Sequence, residues 1–178
     1  MEHMIGVFGM RIAEKIVQDL SRYLSGKKVL EVACGDSDLS LAASRFAARV
    51  LATDISLERA KRIKPEMIPN NVEFREMDAA DMEIDDESFD VSVCYNALGH
   101  LRSILGPVFA EMLRVTKQDG YLMFVATWKM DIAALNELKE AISEYGHLIS
   151  LTEISNSKYK ALIVKKTTNH TSAVFGKD

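Results

Sequence analysis

The sequence is short of cysteine and lacks a long apolar run. Its 178 residues include two cysteines, Cys34 and Cys94, which lie far apart in the chain. Two isolated cysteines fit neither a disulfide framework nor the ligand spacing of a zinc site. No long apolar stretch follows a basic start, so the sequence predicts neither a signal peptide nor a segment that spans a membrane. We therefore expect a cytoplasmic protein.

The sequence also lacks a strongly basic region. The net charge is −4, and the basic stretches Lys27-Lys28 and Lys165-Lys166 are short. Because nucleic-acid binding depends on lysine and arginine side chains that neutralise phosphates, we expect no nucleic-acid partner. The length fits one domain over residues 1–178. We divide it into an N-terminal helix at 1–26, a core at 27–166 and a flexible tail at 167–178.

Short apolar segments alternate with amphipathic ones along the chain. Seven segments have the pattern of strands: 29–33, 50–53, 72–77, 89–95, 121–127, 147–154 and 159–165. Six segments have helical periodicity or helix-end signals: 5–24, 39–49, 57–63, 98–105, 107–117 and 131–145. Asp131 is placed as the N-cap of the last helix, and Gly120 past the end of the helix before it.

This order of elements predicts an α/β fold. Right-handed crossovers turn alternating strands and helices into an open, doubly wound and mostly parallel sheet with helices on both faces. The short link through Asn156 and Ser157 forces the last two strands to pair antiparallel. In such sheets a ligand binds beyond the carboxyl ends of the strands, where the strand order reverses.

The loop after the first strand is poor in glycine. Small residues at Ala33, Gly35 and Ser37 allow a tight turn and leave room for a ligand against the main chain. A dinucleotide-binding turn would have three glycines, and only Gly35 is present. The sequence therefore argues against a nicotinamide cofactor.

Carboxylates follow the next two strands. Asp54, at the end of the second strand, can accept hydrogen bonds from two ribose hydroxyls or can cap the helix that begins near Ser56. Asp78 and Ala79 close the third strand, where a carboxylate can accept from an exocyclic amine and a backbone N–H can donate to a ring nitrogen. The alternative is that Asp78 simply begins a loop.

The sequence resembles the class I methyltransferases that use S-adenosylmethionine, and most closely their branch of quinone-biosynthesis and related small-molecule enzymes. The likeness covers residues 29–165. Besides the stretches above it rests on three runs: Ser88-Phe89-Asp90-Val91, Glu111-Met112-Leu113-Arg114-Val115 and Asp119-Gly120-Tyr121-Leu122. The resemblance implies a seven-stranded sheet of order 3-2-1-4-5-7-6 whose last strand is antiparallel. It also implies S-adenosylmethionine as cofactor and S-adenosylhomocysteine as product.

Site residues follow from the resemblance by position. Glu31 orients the first loop, the methionine part meets Ala33, Cys34 and Gly35, and Asp54 holds the ribose. Ile55 packs on adenine, and Asp78 and Ala79 hydrogen-bond to the polar edge of the adenine ring, with Met82 nearby. Asn96 also lies at the cofactor. The family usually has glycine where this sequence has Ala33 and Ser37, so we expect weakened or reshaped cofactor binding.

The acceptor side of the site is expected after the fourth and fifth strands, at Tyr95, Asn96, His100 and Trp128. The candidate catalytic residues are His100, as general base, and Tyr95. His100 can instead cap or pack its helix, and Trp128 can belong to the core. The fourth strand does not end in aspartate as magnesium-dependent catechol-type enzymes require, so no metal is expected.

Several alternatives stay open at this point. The leading hypothesis is methylation of a small molecule on oxygen, nitrogen or carbon, by a monomer or a homodimer. Only three residues, 128–130, separate the fifth strand from the next helix, and this missing lid fits a protein or RNA acceptor. Ala33 and Ser37 also fit a module that binds the cofactor without catalysis. The N-terminal helix, with Met4, Ile5, Phe8 and Met10, either closes over the site or packs against the sheet edge.

Overall fold

The computed structural model describes residues 2–146 and 148–167, and for residues 2–10 and 144 it describes the backbone alone. The strands are β1 (Lys28–Val32), β2 (Arg49–Asp54), β3 (Val72–Glu76), β4 (Phe89–Tyr95), β5 (Thr116–Ala126), β6 (Ile149–Ser155) and β7 (Lys160–Lys166). The helices are α1 (Glu2–Asp19), α2 (Ser21–Leu24), α3 (Asp38–Ala43), α4 (Leu98–Leu101), α5 (Leu105–Val115) and α6 (Lys129–Ala141).

All seven strands form one sheet of order β3-β2-β1-β4-β5-β7-β6. Strands β1 to β5 are parallel, while β7 runs antiparallel to both β5 and β6. The predicted order and the antiparallel last strand are confirmed. The register pairs Val32 of β1 with Cys94 of β4, and Cys34 lies in the loop two residues beyond the end of β1.

The central strands are apolar on both faces because helices cover both sides of the sheet. Successive residues of β1 show this: Val29 packs in the cluster that includes α1 and α3, and Leu30 packs in the cluster that includes α5 and α6. Helix α1 contributes Ile16 and Leu20 to the first cluster. It thus packs on a face of the central strands rather than against the sheet edge.

Two predicted helices are shorter than expected. The helix at 39–49 is α3, which ends at Ala43, and the helix at 57–63 is one 3₁₀ turn, Ala60–Arg62. A second 3₁₀ turn, Pro65–Met67, follows at once. Proline keeps the residue before it out of the helical region, and the extended conformation of Lys64 shows this limit.

The start of β5 and the N-cap of α6 were predicted wrongly. Strand β5 begins at Thr116, and Gly120 lies within it, where a Cβ would meet the Asp90 carbonyl oxygen at 2.8 Å. Helix α6 begins at Lys129 with Trp128 as its N-cap. Asp131 lies inside the helix and is buried. Its Oδ1 accepts a hydrogen bond from the Gly99 N–H at 2.9 Å, which ties α6 to α4.

Some predictions fall outside the described residues. These are the tail beyond Thr167, the strand position at 147, and the lid role assigned to the side chains of Met4, Ile5, Phe8 and Met10.

Among the helices of the described chain, none combines the length and the apolar character that crossing a membrane requires.

Candidate functional site

The strand order places the candidate site at the carboxyl ends of β1 and β4. The chain leaves β1 toward β2 and β3 on one side, then continues in β4 and β5 on the other. At such a reversal the loops after β1 and β4 run in opposite directions, so a ligand crevice is expected between them. The residues predicted for the site follow these strands and β2, β3 and β5.

The loop after β1 has an unusual backbone. Three alternate residues adopt left-handed conformations, with φ of 53° at Ala33, 52° at Gly35 and 64° at Ser37. Such a conformation in a residue other than glycine costs of order 1–3 kcal/mol. Hydrogen bonds hold the loop in place, from Cys34 N–H to the Thr53 carbonyl at 2.9 Å and from Ser37 N–H to the Cys34 carbonyl at 2.8 Å. The family's glycines at positions 33 and 37 thus match a backbone need that this chain meets with strained residues.

Asp54 ties this loop to the end of β2. Its Oδ2 accepts from the Gly35 N–H at 2.9 Å, and its Oδ1 accepts from the Ser56 N–H at 3.2 Å. The second bond is the turn role that the sequence left open. Carboxylate oxygens each have two lone pairs, so both oxygens keep capacity for a further donor such as a ribose hydroxyl.

Glu31 is a buried carboxylate with an unpaired oxygen. It lies one residue before the end of β1, is 1% exposed, and accepts a hydrogen bond from Ser40 on Oε2. Its Oε1 has no hydrogen-bond partner. Burial raises the pKa of Glu31 to about 8, with the Ser40 hydrogen bonds opposing the rise. The side chain therefore holds a proton near neutrality unless a cationic group approaches it.

Cys34 is a core thiol in this loop. Burial raises the pKa of the Cys34 thiol to about 12, and the Ser37 hydroxyl lies 3.4 Å from its sulfur. A thiol of this kind is neither nucleophilic nor a ready metal ligand at neutral pH. Within the described residues, no three His, Cys, Asp or Glu side chains cluster in a way that could hold a metal ion.

Two residues of this region were missed by the sequence interpretation. Arg59 donates to both carboxylate oxygens of Asp36, with Nε 3.0 Å from Oδ1. Asp38, the first residue of α3, is half-buried, and burial together with the charge of Asp36 raises its pKa to about 6. An arginine five residues after the acidic end of β2 is the signal that could have been noticed.

The residues expected around adenine differ in how exposed they are. Ile55 is 73% exposed, Ala79 is half-buried, and Asp78 is exposed with its Oδ1 accepting from the Ala80 N–H at 2.8 Å. Met82 instead lies in the core, so its side chain is covered by protein. The first three residues lie where a ligand can reach them, whereas Met82 is covered by the protein.

Arg114 fixes the acidic loop between β3 and β4, residues 77–88, which carries Asp78, Ala79 and Met82. Its guanidinium donates to the Met82 carbonyl at 2.9 Å and to the Ile84 carbonyl at 2.7 Å, and it pairs with Glu111 and Asp86. The Glu111 carboxylate in turn accepts from the Met82 N–H at 2.7 Å. Helix α5 thereby holds the loop through charge-assisted hydrogen bonds.

Asn96 joins the ends of β4 and β5. Its N–H donates to the Val125 carbonyl at 2.9 Å, its Oδ1 accepts from the Thr127 N–H at 2.7 Å, and its Nδ2 donates to Thr127 Oγ1 at 2.7 Å. The side chain is thus fully engaged within the protein. Tyr95, half-buried beside it, has its pKa raised to about 12 by burial, and its hydroxyl stays protonated.

His100 and Trp128 present accessible side chains at this edge. His100 is exposed in α4, and Trp128, directly before α6, is 53% exposed and so does not belong to the core. The two helices are held together by the bond from Gly99 N–H to Asp131. The other oxygen of Asp131, Oδ2, is buried without a partner.

Comparison with known proteins gives consistent matches. Residues 30–124 match the family described as "Methyltransferase domain". Similar proteins include phthiotriol/phenolphthiotriol dimycocerosates methyltransferase 1 of Mycobacterium ulcerans, 32% identical over 120 residues that cover 62% of this chain and 44% of that protein. Another is the ubiquinone/menaquinone biosynthesis C-methyltransferase UbiE of Azotobacter vinelandii, 32% identical with 75% and 55% covered.

The fold also has solved counterparts. A SAM-dependent methyltransferase from Aquifex aeolicus superposes with a TM-score of 0.72 over 87% of this chain and 89% of that one, at 18% identity. The chain spans about half the length of the curated relatives it matches.

The strained loop predicts a stabilising substitution. Ala33→Gly should relieve a left-handed conformation that costs alanine about 1–2 kcal/mol. Glycine also gives the unfolded chain more conformational entropy, which lowers the free energy of unfolding by about 0.4–1 kcal/mol. The free energy of unfolding in urea is expected to rise by about 0.5–1 kcal/mol. The control Ala42→Gly, at a buried position in the last turn of α3, should lower it by about 1 kcal/mol or more. If Ala33→Gly lowered the free energy of unfolding, the claim that the backbone at Ala33 is strained would be wrong.

The buried carboxylate predicts a pH dependence of stability. The pKa of Glu31 is raised from 4.5 to about 8 on folding, so the folded state holds one more proton between these values. Stability from this group is complete below pH 4.5 and is lost as pH rises toward 8, by up to about 1.4 kcal/mol per pH unit.

Urea unfolding from pH 5 to 8 tests this directly. Glu31→Gln should remove most of the downward slope and leave the part below about pH 6 that comes from Asp38, while Glu66→Gln, at an exposed position, should keep the wild-type slope. Equal slopes in the wild type and Glu31→Gln would show that Glu31 is ionised throughout this range.

Proposed function

Because the chain belongs to the methyltransferase domain family, we propose that it transfers a methyl group from S-adenosylmethionine to a small-molecule acceptor. Its fold and cofactor are those of the class I S-adenosylmethionine-dependent methyltransferases. One observation carries the proposal. The left-handed loop after β1 runs from Glu31 and is pinned at Gly35 by Asp54, which brings two carboxylates to one tight turn.

The residues present fit the cofactor by charge. S-adenosylmethionine has two cationic groups, an ammonium and a sulfonium, and acidic side chains complement both. The unpaired Oε1 of Glu31 lacks the donor that a buried carboxylate needs. Asp54 has lone pairs free for ribose hydroxyls, and exposed Ile55 offers an apolar surface for adenine. We propose that these residues, with Gly35, Asp78 and Ala79, hold the cofactor.

The chemistry that the cofactor supplies when bound is a methyl group on a positively charged sulfur, and S-adenosylhomocysteine remains after transfer. The protein's main task is then to hold an acceptor in line with that methyl group. Positioning of this kind can contribute about 7–11 kcal/mol. The bond between Asn96 and Thr127 fixes the wall of the crevice against which the acceptor is oriented.

We assign His100 the role of general base for acceptors that arrive protonated. His100 lies in α4, which follows β4, its side chain is exposed, and imidazole is the most common general base in enzymes. Tyr95 cannot serve as the base, because burial raises its pKa to about 12. We propose that the Tyr95 hydroxyl instead donates a hydrogen bond to the acceptor.

The acceptor edge favours an apolar or aromatic molecule. Trp128 and Met130 are both about half exposed at the end of β5. The Mycobacterium ulcerans relative is named for phthiotriol dimycocerosates and the Azotobacter vinelandii relative for quinone biosynthesis. These names support a lipid-like or quinone-like acceptor for this chain.

The short connection after β5 favours a second candidate acceptor. Only Thr127 and Trp128 separate β5 from α6, so this connection provides no cover for the crevice. An open crevice suits a protein or RNA acceptor that would itself exclude water. We keep this as the alternative, and acceptor screening decides between the two.

We further propose that the protein works in the cytoplasm as a monomer or a homodimer. Cys34 and Cys94 are both unpaired and buried, in keeping with a reducing compartment.

Cofactor binding tests the proposed function first. In calorimetric titration with S-adenosylhomocysteine, the wild type is expected to bind, and Asp54→Asn should weaken binding by about 10- to 100-fold, since a charged acceptor for ribose hydroxyls is lost. The control Asp85→Asn removes an exposed carboxylate of the acidic loop and should bind like the wild type. A wild type that does not bind would refute the proposed function for this chain.

Methyl transfer tests the acceptor assignment. With tritiated S-adenosylmethionine and an alkylated hydroquinone, His100→Gln is expected to slow transfer by about 10²- to 10⁴-fold and to change the pH profile of the rate. Tyr95→Phe should raise KM and leave the pH profile unchanged. A slower His100→Gln enzyme with the wild-type pH profile would make His100 a positioning residue.

A further inference from the structure

Arg59 lies against the first loop at the point where the loop has no side chain. Its guanidinium pairs with both oxygens of Asp36, and its Nη1 is 3.0 Å from the position that a Cβ on Gly35 would occupy. A side chain at position 35 would therefore push the guanidinium away. Arg59 thus connects the 3₁₀ segment after β2 with the loop that is proposed to receive the methionine part of the cofactor.

Carboxylates surround this arginine. The pKa of Arg59 is raised, first by its hydrogen bond with Asp36 and further by the charges of Asp36, Asp54 and Asp38. The acids complement the ammonium and sulfonium groups of the cofactor. The same cofactor also has one anionic group, its α-carboxylate, which needs a cation in an otherwise acidic site.

The pair between Arg59 and Asp36 is open to exchange. Both side chains are more than half exposed, and exposed ion pairs contribute little stability. A guanidinium is a planar fork that binds carboxylates through two parallel hydrogen bonds. The α-carboxylate of an amino acid presents the same two oxygens as Asp36, so one can replace the other on Arg59.

We propose that Arg59 binds the α-carboxylate of the cofactor and releases Asp36 when it does so. This inference rests on the proposed function and adds a specificity-determining residue to the same site. Asp36 then acts as an internal competitor that occupies Arg59 before the cofactor arrives. The exchange makes the site selective for ligands that carry the amino-acid carboxylate.

Three ligands separate this role from other roles of Arg59. They are S-adenosylhomocysteine, its decarboxylated analogue, and 5′-methylthioadenosine, which lacks the amino-acid part. In calorimetric titration, Arg59→Ala is expected to weaken S-adenosylhomocysteine binding by about 10- to 100-fold. Binding of the other two ligands should change less than about twofold, because they have no carboxylate to lose.

Asp36→Ala provides the matched variant. It breaks the same ion pair as Arg59→Ala, so both variants should lose similar thermal stability. Asp36→Ala frees the guanidinium and is expected to tighten S-adenosylhomocysteine binding a few-fold, roughly the effect of removing one exposed pair. Opposite changes in affinity at equal stability would support carboxylate binding. Arg62→Ala, on the same 3₁₀ turn, is the surface control and should bind like the wild type.

Two results would overturn the inference and leave the proposed function standing. One is equal weakening of all three ligands by Arg59→Ala, which would place Arg59 on the nucleoside or make it a support of the loop. The other is unchanged binding of S-adenosylhomocysteine. A wild type that binds none of the ligands would instead overturn the proposed function, and this inference with it.

Discussion

The hydrogen bond from the Gly35 N–H to the Asp54 carboxylate is the constraint on which the site depends. It joins the loop after β1 to the end of β2, so the two strand ends act as one unit. The left-handed residues Ala33 and Ser37 persist because this bond and the backbone bonds around Cys34 fix the path between them.

The site concentrates carboxyl groups where burial disfavours their charged form. Glu31 holds an unpaired buried oxygen, Asp38 has a raised pKa, and Arg59 neutralises only Asp36 directly. Such an arrangement is a poor choice for stability alone, because unpaired buried polar groups destabilise the folded state. Its cost is understandable if a cationic ligand completes the hydrogen bonding, which is how functional sites commonly depart from the rules of stable packing.

Local sequence signals predicted the alternation of strands and helices, and the link through Asn156 and Ser157 left one pairing direction for the last two strands. The strand order itself came from the family resemblance. Local signals failed where tertiary contacts decide. Asp131 has the sequence signature of an N-cap, yet its partner is Gly99, thirty-two residues earlier in the chain. The pairing of Arg59 with Asp36 across two loops is invisible for the same reason. The backbone strain at Ala33 and Ser37 could be anticipated only from the family's glycines.

The two-residue connection between β5 and α6 has a consequence for protein engineering. It lies on the proposed acceptor side of the site, and its ends are already fixed by the bonds of Asn96 and Asp131. Lengthening a loop is thermodynamically mild, at about 0.6 kcal/mol for each doubling. A grafted segment could therefore be inserted between Thr127 and Trp128 to reshape acceptor preference, without replacing a single core residue. The scaffold is thus a compact starting point for directed evolution of alkylating catalysts.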